Sequence, residues 1–128
     1  MSIEQGPSFR SNESIAAFVT VAVNASTTLA ELRVEVADTS TSIPVGISQD
    51  ASSPEGSADV RTFGFGRMLL ATTTAAGDIL TWQTATGQGM PVVAANSITV
   101  RTIAVALAPG TAGSIIPVLI SPQYIPNI

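Results

Sequence analysis

The sequence predicts an all-β chain, a small antiparallel β-barrel or sandwich with an extended N-terminal arm and an extended C-terminal tail. Three observations carry this. Apolar residues recur with a period of two over short runs, as a strand with two unlike faces requires. Gly, Pro, Asn, Asp and Ser cluster between those runs at regular intervals. No segment shows a sustained apolar stripe at helical spacing.

Residues 1–13 hold Gly6, Pro7, Ser8, Ser11 and Asn12 and read as an extended arm, because Pro7 forbids a regular helix through them. Ile3 and Phe9 are its large apolar groups, and an arm this short cannot bury them within itself. Residues 14–120 read as one β domain. Between Ser14 and Asn24, Val19, Val21 and Val23 alternate with Thr20 and Ala22. From Leu29 to Val36, Leu32, Val34 and Val36 point one way, and Glu31, Arg33 and Glu35 the other. A helix over Thr28 to Arg33 is the alternative there, and the alternation favours a strand. Ile43 to Ser48 is a short strand with Pro44 near its start, where a missing N–H is tolerated. Gln49 to Ser57 is a loop.

Ala58 to Ala71 alternates again, with Arg61, Phe63, Phe65 and Arg67 on one side and Gly64 and Gly66 on the other. Ala76-Gly77-Asp78 is a turn, Ile79 to Trp82 a strand, and Ala85 to Gly89 a second turn. Met90 to Ala95 follows, and Pro91 marks it as an edge. Ser97 to Ala108 is the longest strand pattern, Pro109 to Gly113 a hairpin loop, and Ser114 to Ile120 the last strand. Residues 121–128 form a proline-fixed tail carrying Tyr124, Ile125 and Ile128. Seven to nine strands joined as a meander or Greek key result. There is also a faint internal echo. Ile43 to Ser48 with its following loop parallels Ile103 to Ala108 with Pro109 to Ile116, although all hairpins share this pattern.

At 128 residues the chain makes one domain, able to bury roughly two-thirds of its unfolded surface without metals or disulfides. Charged residues are 11% of the chain, against about 25% in an average domain, and mean hydropathy is +0.42. A monomer usually relies on surface charge for solubility. Association with copies of itself or with a larger partner hides such a surface; a neutral Ser/Thr exterior is the alternative. The net charge is −4, with five arginines and no lysine. These cations make no basic face for phosphates, so no direct nucleic-acid contact is expected. No polybasic run points to a membrane. Residues 1–7 show neither the basic start nor the apolar core of a signal peptide, so synthesis in a cytoplasm is expected.

Chemistry has few carriers. There is no His and no Cys, which removes the common general base, the thiol nucleophile and the usual transition-metal ligands. The nine acids sit in arms, wet strand faces and turns. Asp38 and Asp50 flank Ser/Thr-rich segments, but no EF-hand loop surrounds them. Gly64 and Gly66 fall short of a phosphate-binding glycine motif. No catalytic residue, metal or cofactor is expected. Trp82 reads as a core or interface anchor, and Tyr124 as an interface residue.

The run from Ile43 to Pro91 adds to this. It contains I-P-V-G-I-S, a loop with E-G, V-R-T-F-G-F-G-R-M-L-L and A-A-G-D-I-L-T-W-Q-T-A-T-G-Q-G. With the closing hairpin Ile103 to Ile120, it resembles the small capsid cement, or decoration, proteins of tailed bacteriophages. The resemblance covers roughly residues 43–120. It implies a compact β-barrel-like fold, assembled as a homotrimer on the outer face of an icosahedral head, where it staples neighbouring major capsid proteins without catalysis. The arm and tail lie outside it. Ile3, Phe9, Tyr124, Ile125 and Ile128 are the expected contact residues, since extended segments can add strands to a partner's sheet edge. The alternatives are another virion part, such as a head fibre, tail-tube or tail-adaptor protein, or a carbohydrate-binding or adhesin module built on Trp82 and exposed acids.

Overall fold

The computed structural model describes residues 9–24, 32–39, 42–92 and 100–125. Ile3, Ile128, the start of the Leu29 to Val36 run and the end of the Met90 to Ala95 run lie outside them. The described residues are all-β. Eleven strands form: β1 (Phe9–Ser11), β2 (Thr20–Val23), β3 (Leu32–Val36), β4 (Pro44–Ser48), β5 (Ser57–Ala58), β6 (Val60–Arg61), β7 (Gly64–Leu69), β8 (Ile79–Trp82), β9 (Gly89–Pro91), β10 (Val100–Ala106) and β11 (Ile115–Ile125).

They make two sheets, one ordered β5-β1-β3-β2-β4-β6 and the other β7-β11-β10-β8-β9. Pairing is antiparallel except for β1 with β3 and an isolated parallel bridge between Leu70 and Gly89. Both ends of the first sheet, β5 and β6, come from one stretch interrupted by Asp59 alone. The sheet therefore curls until that stretch pairs with β1 on one side and β4 on the other. In the second sheet the Leu70–Gly89 bridge links the segments at its two edges in the same way. Each half is barrel-like, and Pro91 lies on an edge strand, as its missing N–H requires.

The expected single strand from Ala58 to Ala71 is divided. Its first part completes the first sheet as β5 and β6, and its second part opens the second sheet as β7. The chain changes sheet through Thr62 and Phe63 and enters β7 at Gly64, whose φ of 97° is a left-handed value that a residue without Cβ adopts cheaply. Alternation alone cannot report such a change of sheet, because the side chains keep their phase. Arg61, Phe63, Phe65 and Arg67 are all exposed. Phe9–Ser11 of the expected arm form β1, set between β3 and β5. Ser121 to Ile125 of the expected tail continue β11, with Tyr124 opposite Arg101 and Ile125 opposite Val100.

The two halves repeat each other in detail. Phe9↔Ala58 and Arg10↔Ser57 are matched by Met68↔Ile116 and Leu69↔Ile115. Ile47↔Arg61 and Ser48↔Val60 are matched by Val105↔Leu119 and Ala106↔Val118. Thr20↔Ile47 and Val21↔Gly46 are matched by Ile79↔Val105 and Leu80↔Ala104. The bridge Ile15↔Ser52 has its counterpart in Thr74↔Gly110. The numbering shift is constant within each set of strands. The chain is thus a tandem duplication, in which Ser48 corresponds to Ala106 and not to Ala108 as the sequence echo implied. At two equivalent turns, Gly77 and Gly113 take left-handed φ values where the first half has Phe18 at 66° and Glu55 at 64°. Left-handed backbone costs a residue with Cβ roughly 1–2 kcal/mol. At Glu55, side-chain bonds from Arg33 and a bond from Arg10 Nη1 to the Glu55 carbonyl (2.7 Å) offset that cost.

The first half closes over Ile15, Val19, Val21 and Val34, with Phe9, Val36, Val45, Ala58 and Val60 packed against them. The larger cluster fills the second half with Met68, Leu70, Leu80, Trp82, Ile103, Ile116, Val118 and Ile120, and it takes in Ala22, Ala37 and Ile47 from the first. Those three lie on the outside of the first half, so the halves share a core where β4 packs against β7, β10 and β11. Hydrogen bonds cross the same seam, from Leu69 N to Phe18 O (2.8 Å) and from Thr20 N to Gly87 O (2.8 Å). The Gln49 amide clips β7, donating to Arg67 O and accepting from Arg67 N, both at 3.2 Å.

Candidate interaction surface

Five of the described acidic residues bond within the chain. Glu13 accepts a bond from Val36 N (2.9 Å), Asp50 from Ala51 N (3.0 Å) and Asp78 from Ala75 N (2.9 Å). Glu35 accepts from Asn24 Nδ2. Glu55 receives a two-pronged contact from Arg33, Nη1 to Oε2 at 2.8 Å and Nη2 to Oε1 at 2.9 Å. That hydrogen bonding, aided by the positive charge of Arg33 and Arg10, holds the Glu55 carboxyl below its ordinary value. Among the described residues, no three His, Cys, Asp or Glu side chains converge as metal ligands would.

Trp82 is a core residue. It is 4% exposed, and its Nε1–H donates to Thr39 O at 2.9 Å. Its ring is therefore not a platform for a sugar, which removes the residue on which the carbohydrate reading stood. Phe9 is half-buried and packs on the first core cluster, so its ring has a partner within the chain.

The surface that stands out is apolar. Phe63 and Phe65 are 73% and 70% exposed and are flanked by the exposed Arg61 and Arg67. Phe65 opens a row that crosses four strands on the outer face of the second sheet. It lies opposite Leu119, Leu119 opposite Val105, and Val105 opposite Ile79. Leu107 and Ile115, both exposed, widen the row. Contiguous exposed apolar area of this kind marks an interaction surface more often than it marks bare exterior. Alternation placed Phe63 and Phe65 on one side in the sequence but did not connect them to β10 and β11. The signal was present, because Ile103-Ala104-Val105-Ala106-Leu107 and Ile115 to Ile120 carry apolar residues at both phases. Strands covered on both faces read this way.

No family model and no curated protein sequence matches the chain. Among solved structures, the fold is similar to the N base of the head fibre protein gp8.5 of bacteriophage phi29, at a TM-score of 0.67 and 14% identity, over 89% of this chain and 91% of that one. At that identity the likeness is one of fold.

Proposed function

We propose that the chain is a non-catalytic structural protein of a bacteriophage virion, made in the host cytoplasm and carried on the outer surface of the icosahedral head. There it decorates and stabilises the capsid by bridging major capsid proteins, and it acts as a homotrimer. The observation that carries the reading is the fold likeness to a head fibre base over nearly the whole of both chains. The low charge and the apolar outer face support it, since both fit a protein that works in an assembly. Lattice repetition turns modest single contacts into high avidity, so no deep pocket is called for. The likeness to a fibre base favours a second reading within the same class, in which the chain is the head-bound foot of a projecting fibre.

Mixing the purified protein with undecorated heads tests both. Saturable binding at fixed stoichiometry, with a raised rupture temperature of the heads, is the result expected of a decorating protein. Binding without that rise favours the fibre foot. Absence of binding at micromolar protein overturns both.

A further inference from the structure

We propose that the outer face of the second sheet, centred on the row Phe65–Leu119–Val105–Ile79, binds a second copy of this chain head to tail, against that copy's N-terminal half. The inference deepens the self-association in the proposed function and rests on that part of it alone. It follows from the duplication. In the first half the equivalent row is Arg61–Ile47–Thr20, and beyond the exposed Arg61 it is not free. Ile47 and Thr20 are both 0% exposed, because the second half of the same chain covers them. Ile47 and Ala22 enter the larger core cluster, Thr20 N bonds Gly87 O, and Gln49 clips β7.

In the second half the same positions stand open. Ile79, counterpart of Thr20, is 40% exposed, and Leu107, counterpart of Gln49, is 45% exposed, while Val105 and Leu119 are half-buried. The chain thus holds one completed contact between halves and an open copy of the same face. The free face is also continuous with the completed contact. Arg61 Nη1 bonds Phe65 O at 2.7 Å, so the seam ends where the row begins.

The occupant is fixed by the same logic. What covers the first half's face is a flank of the second half made by β7, β10 and β11 with the Gly87 turn, and the counterparts of those three strands are β1, β4 and the β5–β6 stretch. The N-terminal half of another copy carries that flank. A contact of this kind joins unlike surfaces, so it closes into a ring or runs into a filament. A trimer built this way alternates contacts within and between chains around one axis.

Two measurements test this. Light-scattering mass is read for the wild type, for the double variant Phe65→Glu/Leu107→Glu, and for Ala112→Glu in the β10–β11 turn as a control. The expected result is an oligomeric wild type and control, with self-association of the double variant weakened at least about ten-fold. Circular dichroism reports whether the fold is kept. Independently, p-benzoylphenylalanine at position 65 is photolysed, and the cross-linked dimer is digested for mass spectrometry. Attachment to a peptide of the N-terminal half is expected. A wild type that stays monomeric overturns both this inference and the self-association it rests on. An oligomer that the double variant leaves intact, or a cross-link to the C-terminal half of the neighbour, overturns the inference alone.

Discussion

Ile47 and Ile79 lie in the same outer row of their respective halves, yet one is sealed by the other half and the other faces outward, so the same truncation should read differently at the two sites. Ile47 is 0% exposed and packs among residues of both halves. Ile47→Ala removes buried methyl groups and leaves a cavity, a change that costs about 2–5 kcal/mol. Ile79 opens to solvent, so Ile79→Ala leaves no sealed cavity and should cost about 1 kcal/mol. For a chain of this length, the larger loss lowers Tm by on the order of 10 °C. Trp82 is the sole tryptophan and is buried beside the seam, so its fluorescence follows a urea titration directly. The titration is run at a dilution where the chain is monomeric, so that nothing covers Ile79. The slope with urea should stay unchanged while the midpoint falls. Equal losses at the two positions, or a loss at Ile47 below about 1 kcal/mol, would refute the claim that the packing of one half on the other holds the molecule together.

Three further outcomes follow from single residues. Thr20 Oγ1 is buried without a hydrogen-bond partner, so Thr20→Val should leave stability unchanged or raise it by about 1–3 kcal/mol; a lower urea midpoint would show that the hydroxyl has a use. A Cβ on Gly46 would stand 2.2 Å from Arg61 O and 2.9 Å from Thr62 Cα, both backbone atoms, so Gly46→Ala should cost about 1–3 kcal/mol, and thermal melting at the wild-type temperature would show that β6 moves aside freely. The folded state lowers the Glu55 carboxyl below its ordinary 4.5, so its contribution is present above that value and is lost as pH falls through the lower, folded one. The Tm gap between wild type and Glu55→Gln should therefore close below pH 4.5 and shrink with added salt, and a gap that persists in acid would locate the effect elsewhere.

Local signals were legible in the sequence wherever a strand has one wet face. The alternation of Val34 and Val36 with Arg33 and Glu35 marked β3, and the Asp78 turn marked the start of β8. Trp82 was legible as an anchor, and the structure makes it one of core. Less legible was anything set by pairing across long separations. Phe9–Ser11 look like part of an arm because their partners, Leu32 to Val34 and Ser57 to Ala58, are distant in sequence. Ser121 and Pro122 look like a tail because proline ends most strands, yet β11 runs through them. The duplication was visible as an echo but out of register, because equivalent positions have different residues. Ile47 answers to Val105, Phe9 to Met68 and Val34 to Gly89. Backbone pairing repeats where side chains do not, and only side chains are written in the sequence.

The repeat also sets a hazard during folding. Because the central pairs of the two halves' ladders match, β2 can be offered β10 in place of β4, and β8 can be offered β4, with those main-chain pairings kept. Two nearly interchangeable backbones on one chain invite such cross-pairing, within a molecule or between two of them. Unlike side chains at like positions are what make the wrong partner fit badly. Val21 faces Gly46, whose lack of a side chain lets β6 come close, while its counterpart Leu80 faces Ala104. An exchange that put Ala104 in place of Gly46 would bring a methyl group against the β6 backbone. The divergence that hides the duplication from the sequence thereby helps each half to find its own strands.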